Sequence, residues 1–336
     1  MKNLKNIYLL IFVLHIQLHL FAQDPHYSQF FASPLTLNPA NTGNFNGSLR
    51  VATNIRNQLS EFQNAYSTKT ISLDAPILQK HLPTDDKLSV GLLLLTDQSG
   101  NKLLNDNNVA LSLSYSKALD ENANHFIAAG FQANYSMYRF DPSKANFEDQ
   151  LTAGGFSLSS AELILGNAYS KNTADVNAGL LYTAYTKNNN LFYVGASYYH
   201  FAKPAVGFTT PAYFTAARAN LHGGTYINLS YSATLHASFQ YQHQGDNNEL
   251  LLGGALSYYI GKDNGYEIYA GLWSRIKESL IPYVGIEWNH FRAGFSFDVG
   301  AANQLAVTKS YQSSEFSLLY IFNNNGKGGK IKCPKF

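Results

Sequence analysis

A two-residue alternation, repeated along most of the chain, limits what this sequence can fold into. In VALSLSYS, Val109, Leu111, Leu113 and Tyr115 fall on one side, and Ala110, Ser112, Ser114 and Ser116 on the other. Side chains alternate across a strand, so this is a ribbon with one greasy face and one small polar face. IAAGFQANYS repeats the pattern with Ile127, Ala129, Phe131, Ala133 and Tyr135 against Gly130, Gln132, Asn134 and Ser136. In LHASFQYQH, Leu235, Ala237, Phe239 and Tyr241 oppose His236, Ser238, Gln240 and Gln242.

Soluble sandwiches and membrane barrels both alternate in this way, and the second face separates them. A sheet facing bulk water shows Lys, Glu, Thr and Arg. Here the second face carries Gly, Ser, Asn, Gln and Tyr, residues suited to a crowded or water-filled lumen. Composition agrees. Charged residues make up 14% of the chain, against about 25% in ordinary soluble domains. There are 23 Tyr and 22 Phe. Beyond the first residues, no run reaches the ~18 consecutive apolar positions that a membrane helix needs. A strand-built span must pair every backbone group, which only a closed barrel does. The fold class expected is all-β: a transmembrane antiparallel β-barrel of about fourteen strands in a bacterial outer membrane, preceded by an irregular N-terminal segment. Tyr198, Tyr199, Tyr258, Tyr259, Tyr266 and Tyr269 stand near strand ends, where aromatic girdles mark the two membrane interfaces.

Four regions follow along the chain. Residues 1–22 read as a signal peptide: Lys2 and Lys5, a mostly apolar run from Ile7 to Phe21, then Ala22. Residues 23–48 form a segment expected to be periplasmic or packed into the lumen. Residues 49–323 are the barrel, and 324–336 a flexible basic tail carrying Lys327, Lys330, Lys332, Cys333 and Lys335. The one cysteine, Cys333, excludes an intrachain disulfide. The second region, QDPHYSQFFASPLTLNPANTG in its first part, is too broken for a helix and too proline-rich for a central strand. Because it precedes the first strand it should begin on the periplasmic side. Phe30, Phe31, Leu35 and Leu37 make it too sticky to stay in water. With Asn38 and Pro39 they are its candidate partner-binding residues. Packing on the periplasmic rim, entry into the lumen and binding to a partner all fit. Pro25, Pro34 and Pro39 lower the entropy lost on ordering.

That segment resembles the mature start of the PorP/SprF family, outer-membrane proteins of type IX secretion and gliding systems in Bacteroidetes. The likeness continues in NIRNQLSEFQNAYSTKTISLDAP (54–76), where Arg56, Asn57, Gln58, Ser72 and Asp74 match and Leu59 replaces a usual Trp. FEDQ (147–150), NAGLLY (177–182), VGASYYHFAKP (194–204), FRAGFSFDV (291–299), EFSLLYIF (315–322) and the terminal CPKF follow in order. The resemblance implies a fourteen-stranded outer-membrane barrel. It also implies that the protein docks, delivers or retains a partner surface protein, such as a large adhesin or its C-terminal sorting domain, or links the periplasmic secretion machinery to the outer membrane.

Chemistry is harder to find. The ten histidines show no HExxH or Cys/His metal spacing, and no P-loop or nucleophile elbow is present. Asp298 with His290 or Asp97 could in principle form a rim active site, but nothing in their spacing favours one. The expectation is a non-enzymatic protein without cofactor or nucleic-acid partner. A general diffusion or uptake pore is the alternative function.

Overall fold

The computed structural model describes residues 24–322, apart from 59–65, 84, 146, 153, 157–167, 209–212, 262–264 and 301–311. The signal-peptide and basic-tail expectations, and Leu59, lie outside the described residues.

Alternating sequence becomes antiparallel strand in chain order: β1 (Leu49–Gln58), β2 (Tyr66–Ile77), β3 (Lys87–Ser99), β4 (Leu104–Ala118), β5 (His125–Phe140), a two-residue pair β6 (Leu151–Thr152) and β7 (Gly155–Phe156), β8 (Tyr169–Tyr185), β9 (Leu191–Tyr199), β10 (Arg218–Asn228), β11 (Ala233–Gln244), β12 (Asn247–Ile260), β13 (Tyr266–Arg275), β14 (Ser279–Trp288), β15 (Phe291–Gly300) and β16 (Gln312–Phe322). β6 and β7 form a separate hairpin. The other fourteen close into a barrel, each next to its neighbour in sequence, with β1 pairing β16 at the seam. Leu49 stands opposite Phe322, and Gln58 opposite Ser313. No helix among the described residues is long and apolar enough to cross a membrane.

Alternation alone places two strand starts near 175 and near 213, and the observed starts differ from both by five residues or more. β8 begins at Tyr169 rather than near 175, because β4, β5 and β8 run tall and continue pairing above the apolar band. β10 begins at Arg218 rather than near 213. The described residues just before it, 213–217, belong to no strand, and within this connection Ala205 and Phe214 form an isolated bridge with each other.

The alternation sorts the faces. Leu111, Phe131, Leu180, Leu272 and Val284 point outward and are exposed to the lipid side, whereas Ser112, Gln132, Asn177, Ser257 and Ser296 are buried inward. The tyrosine girdle needs a correction. Tyr198, Tyr258 and Tyr266 face outward near strand ends, but Tyr199 and Tyr269 are buried in the lumen. Adjacent residues in a strand cannot share a face, so only alternate tyrosines reach the interface. Tyr115, Phe192, Trp288, Tyr320 and Phe322 complete the lower ring.

Sidedness follows from the connections. β1 starts and β16 ends at the rim where short turns such as 119–124, 186–190, 229–232 and 289–290 lie. Longer connections, 141–168 and 200–217 among them, join strands at the opposite rim. Outer-membrane barrels keep short turns in the periplasm and long loops outside. The β1/β16 end is therefore periplasmic.

Candidate functional site

The residues that shape this barrel's function lie along its axis. Residues 24–45, here called the leader, occupy the lumen. Local sequence keeps them irregular. Pro34 opens a single helical turn, Pro34–Leu37, and Pro39 opens a 3-10 turn, Pro39–Asn41. Proline suits the first position of a helical turn because its missing N–H would have no partner there. Asn38 caps the second turn, its side chain accepting from the Ala40 N–H at 2.8 Å.

The leader begins at the extracellular mouth. The Asp24 N–H donates to Gln244 at 3.0 Å, and its carboxylate meets His200 at 2.6 Å and Arg218 at 3.3 Å. The other ring nitrogen of His200 contacts Asp175 at 2.7 Å. A histidine touching a carboxylate through each nitrogen donates from both, and so is protonated. Burial opposes that charge, but Asp24 and Asp175 outweigh it and raise the His200 pKa to about 9. Burial likewise works against the Asp24 carboxylate. Arg218 and His200 prevail and hold it well below the usual range. His26 behaves oppositely. Burial lowers its pKa to about 4 despite Glu249 at 3.1 Å, with Arg56 and Arg275 adding to the fall.

Below this lies a fully buried ionic layer. The backbone N–H groups of Ser28 and Gln29 donate to the two carboxylate oxygens of Glu315 at 2.7 and 2.9 Å. Ser28 Oγ donates to Asp298 at 2.8 Å and accepts from Arg275 at 3.0 Å. Arg56 and Arg275 both pair with Asp298, at 3.1 and 2.9 Å, and Arg275 also reaches Glu249 at 3.2 Å. A lone buried charge is costly, and a network that pairs each one removes most of that cost.

Phe31 then packs at 5.0 Å from the ring of Trp273 and 5.5 Å from that of Tyr283, with Phe30 edge-on to it. Leu35 packs with Leu93 and Ala110. The Leu37 carbonyl accepts from Ser197 and Asn220, both at 2.8 Å. Asn38 is completely buried, donating to the Leu180 carbonyl at 2.9 Å and lying 3.1 Å from His222. Two wall glycines make room here. A Cβ at Gly179 would stand 1.9 Å from Asn38 Oδ1, and one at Gly130 would stand 2.3 Å from the Pro39 carbonyl carbon.

The leader ends at the periplasmic mouth. The Gly43 N–H donates to Asp74 at 2.7 Å. Arg50 grips both oxygens of Asp74 and the Asn41 carbonyl, and Lys87 holds the Phe45 carbonyl at 2.8 Å. A cavity of about 460 Å³ opens beside Phe45 and Arg50 at this end, and another of about 610 Å³ beside Asp24 and His26 at the outer end. The leader lies between them.

The leader's course corrects one expectation: its first residues lie at the extracellular end, and it reaches the periplasmic end only at Phe45. Phe30, Phe31, Leu35, Leu37, Asn38 and Pro39 are all buried against the barrel's own wall, Phe30, Phe31 and Leu37 in one cluster and Leu35 in another. Asp298, His290 and Asp97 do not come together. Asp298 is locked to two arginines, His290 stands in the periplasmic turn, and Asp97 bonds Thr68 near the outer mouth. Among the described residues no group of three or more His, Cys, Asp or Glu could hold a metal. Sequence reasoning missed the charges facing inward: Arg50, Arg56, Arg218, Arg275, Asp175 and Glu315. Their signal was present, since each stands at an inward position of an alternating strand.

A closed strand barrel with a lipid-facing apolar band, its lumen occupied by residues 24–45 of its own chain, defines an outer-membrane barrel with an internal segment. The family described as type IX secretion system membrane protein PorP/SprF matches residues 19–320, and the chain belongs to it. No curated protein matches the sequence. Similar solved structures include the toluene transporter TbuX of Ralstonia pickettii (9% identity, 87% of this chain and 94% of that one, TM-score 0.49). The toluene transporter TodX of Pseudomonas putida is 8% identical over 89% of this chain and 98% of that one, also with TM-score 0.49. CdiB from Acinetobacter baumannii is 10% identical over 81% of this chain and 59% of that one, with TM-score 0.43.

Proposed function

We propose that this barrel is a non-enzymatic anchor of type IX secretion that docks, delivers or retains an exported surface protein of adhesin type, or ties the periplasmic machinery to the outer membrane. Family membership supports the secretion role. The observation that carries the anchor reading over a diffusion pore is the filled lumen, whose leader is buried from Tyr27 to Ala40 apart from Ala32 and Thr36. A pore keeps an aqueous path, whereas here side chains of the leader and wall interlock. Partner contacts then fall to the mouths and loops, and Phe30, Phe31, Leu35, Leu37, Asn38 and Pro39 serve a partner only if the leader moves.

Two measurements test the reading. In planar bilayers the intact protein is expected to be electrically silent; steady ohmic conductance would establish the pore instead. Capture of the tagged barrel from the native envelope should recover an exported surface protein or a periplasmic secretion component. Recovery of neither would remove the docking role.

A further inference from the structure

The outer cavity, about 610 Å³, carries a level row of side chains along one wall. Thr68, Asp97, Asp106 and Tyr138 stand opposite one another in register on β2, β3, β4 and β5, and all four line the cavity. Alternation turns Asp106 to the same side as the buried Ala110 and Ser112, and Asp97 to the side of the buried Leu93. Two carboxylates therefore face the cavity from directly opposed positions, where Cβ atoms lie about 4.5–5.5 Å apart and like charges repel. Thr68 donates a hydrogen bond to Asp97 at 2.5 Å, whereas Oδ1 of Asp106 is buried with no hydrogen-bond partner. Among the described residues neither carboxylate has an ion-pair partner. The basic groups around them are engaged elsewhere. Arg139 pairs with Asp141 at 3.6 Å, and His26 with Glu249 at 3.1 Å. Lys171, next in the row on β8, donates to the Gly207 carbonyl at 2.9 Å, and His200 and Arg218 close on Asp24.

The rest of the lining is rich in rings: Tyr66, Phe208 and Tyr213 join Tyr138. A cavity with apolar walls and a few convergent polar groups suits a small organic group. Rings beside carboxylates select a cation that can stack and hydrogen-bond at once. Guanidinium does both, lying flat on an aromatic face while presenting paired N–H donors to carboxylate oxygens. A metal ion fits less well, because among the described residues no third His, Cys, Asp or Glu joins the two acids in a coordinating group.

We propose that the outer cavity is a recognition site for an arginine side chain of an exported polypeptide, its guanidinium held by Asp97 and Asp106 and flanked by Tyr138. The site lies at the extracellular mouth, the side on which an exported protein is displayed. The inference rests on the docking reading and supplies the chemistry of the grip.

The test uses the full chain, purified in detergent micelles, and the blocked peptide acetyl-Gly-Gly-Arg-Gly-Gly-amide, with binding read by isothermal titration calorimetry. Saturable binding is expected. Replacing the peptide's arginine by citrulline, its uncharged isostere, should weaken it by about tenfold or more. Asp97→Asn and Asp106→Asn should each do the same, whereas Asp246→Asn, at an exposed outer turn between β11 and β12, should leave affinity unchanged. Each cavity variant removes a repulsion, so both should keep the heat-dependent gel mobility of a folded barrel. If one does not fold, the citrulline comparison on the unaltered protein decides. No saturable binding, equal binding of the citrulline peptide, or unchanged affinity in either folded cavity variant overturns the site. That failure would leave bilayer silence and envelope capture, on which the anchor reading stands, untouched.

Discussion

Arg275 ties the wall's ionic layer to the leader. It pairs with Asp298 and Glu249 and donates to Ser28 Oγ, and it is 1% exposed. Deleting one member of a buried ionic network leaves the rest unpaired, at a cost of about 3–5 kcal/mol. Arg275→Ala should therefore lower the urea-unfolding midpoint in lipid vesicles, whereas Glu278→Ala, which removes a half-exposed partner at 3.8 Å, should leave it nearly unchanged. Glycine matters at two positions. Gly130→Val drives side-chain carbon into the Pro39 backbone, and the expected result is a leader open to protease in detergent solution while the barrel itself resists. His200 supplies a pH dependence. Its folded pKa, about 9, lies above its ordinary 6.5. The stabilisation is thus full below about pH 6.5 and is lost as pH rises through about 9. Asp24 shifts downward, so its share is lost only in strong acid. Thermal melting should fall between pH 6.5 and 9.5, and His200→Gln should flatten that slope.

At the level of elements, the strands were legible and the leader's partners were not. Period two is a local signal, and it marked the barrel strands because one face of each meets lipid and the other meets the lumen. It failed at strand ends, where pairing above the lipid band rather than hydrophobicity sets the limit, as at Tyr169 and Arg218. It also failed for tyrosine pairs, since Tyr198 and Tyr199 look alike in sequence and point opposite ways. The leader's apolar residues announced that it must be buried. Where it is buried rests on Ser28 meeting Glu315 and Asn38 meeting His222, contacts between residues 287 and 184 positions apart, which no local pattern encodes. The lipid-facing band gives a further prediction. Phe131 is 67% exposed midway along β5, and Phe131→Arg should cost about 2–4 kcal/mol in membrane folding equilibria. Gln132→Arg on the next position would instead fail by displacing the leader at the Leu35 carbonyl.

For the whole molecule, closure and filling are separate achievements. The ladder from β1 to β16 satisfies the backbone without the leader, and the leader fills what the ladder encloses. A chain lacking residues 24–45 should still assemble as a heat-modifiable barrel and should conduct ions in planar bilayers where the full chain is silent. Failure to assemble would show that the wall cannot tolerate its inward charges, such as Arg56 and Glu315, without Ser28 and Gln29 between them.

Because the segment that fills the lumen is covalently joined to the first strand through Asn46 to Ser48, its concentration at the lumen is set by a three-residue tether and not by how much protein is present. Occupancy should therefore be the same at any dilution of the protein.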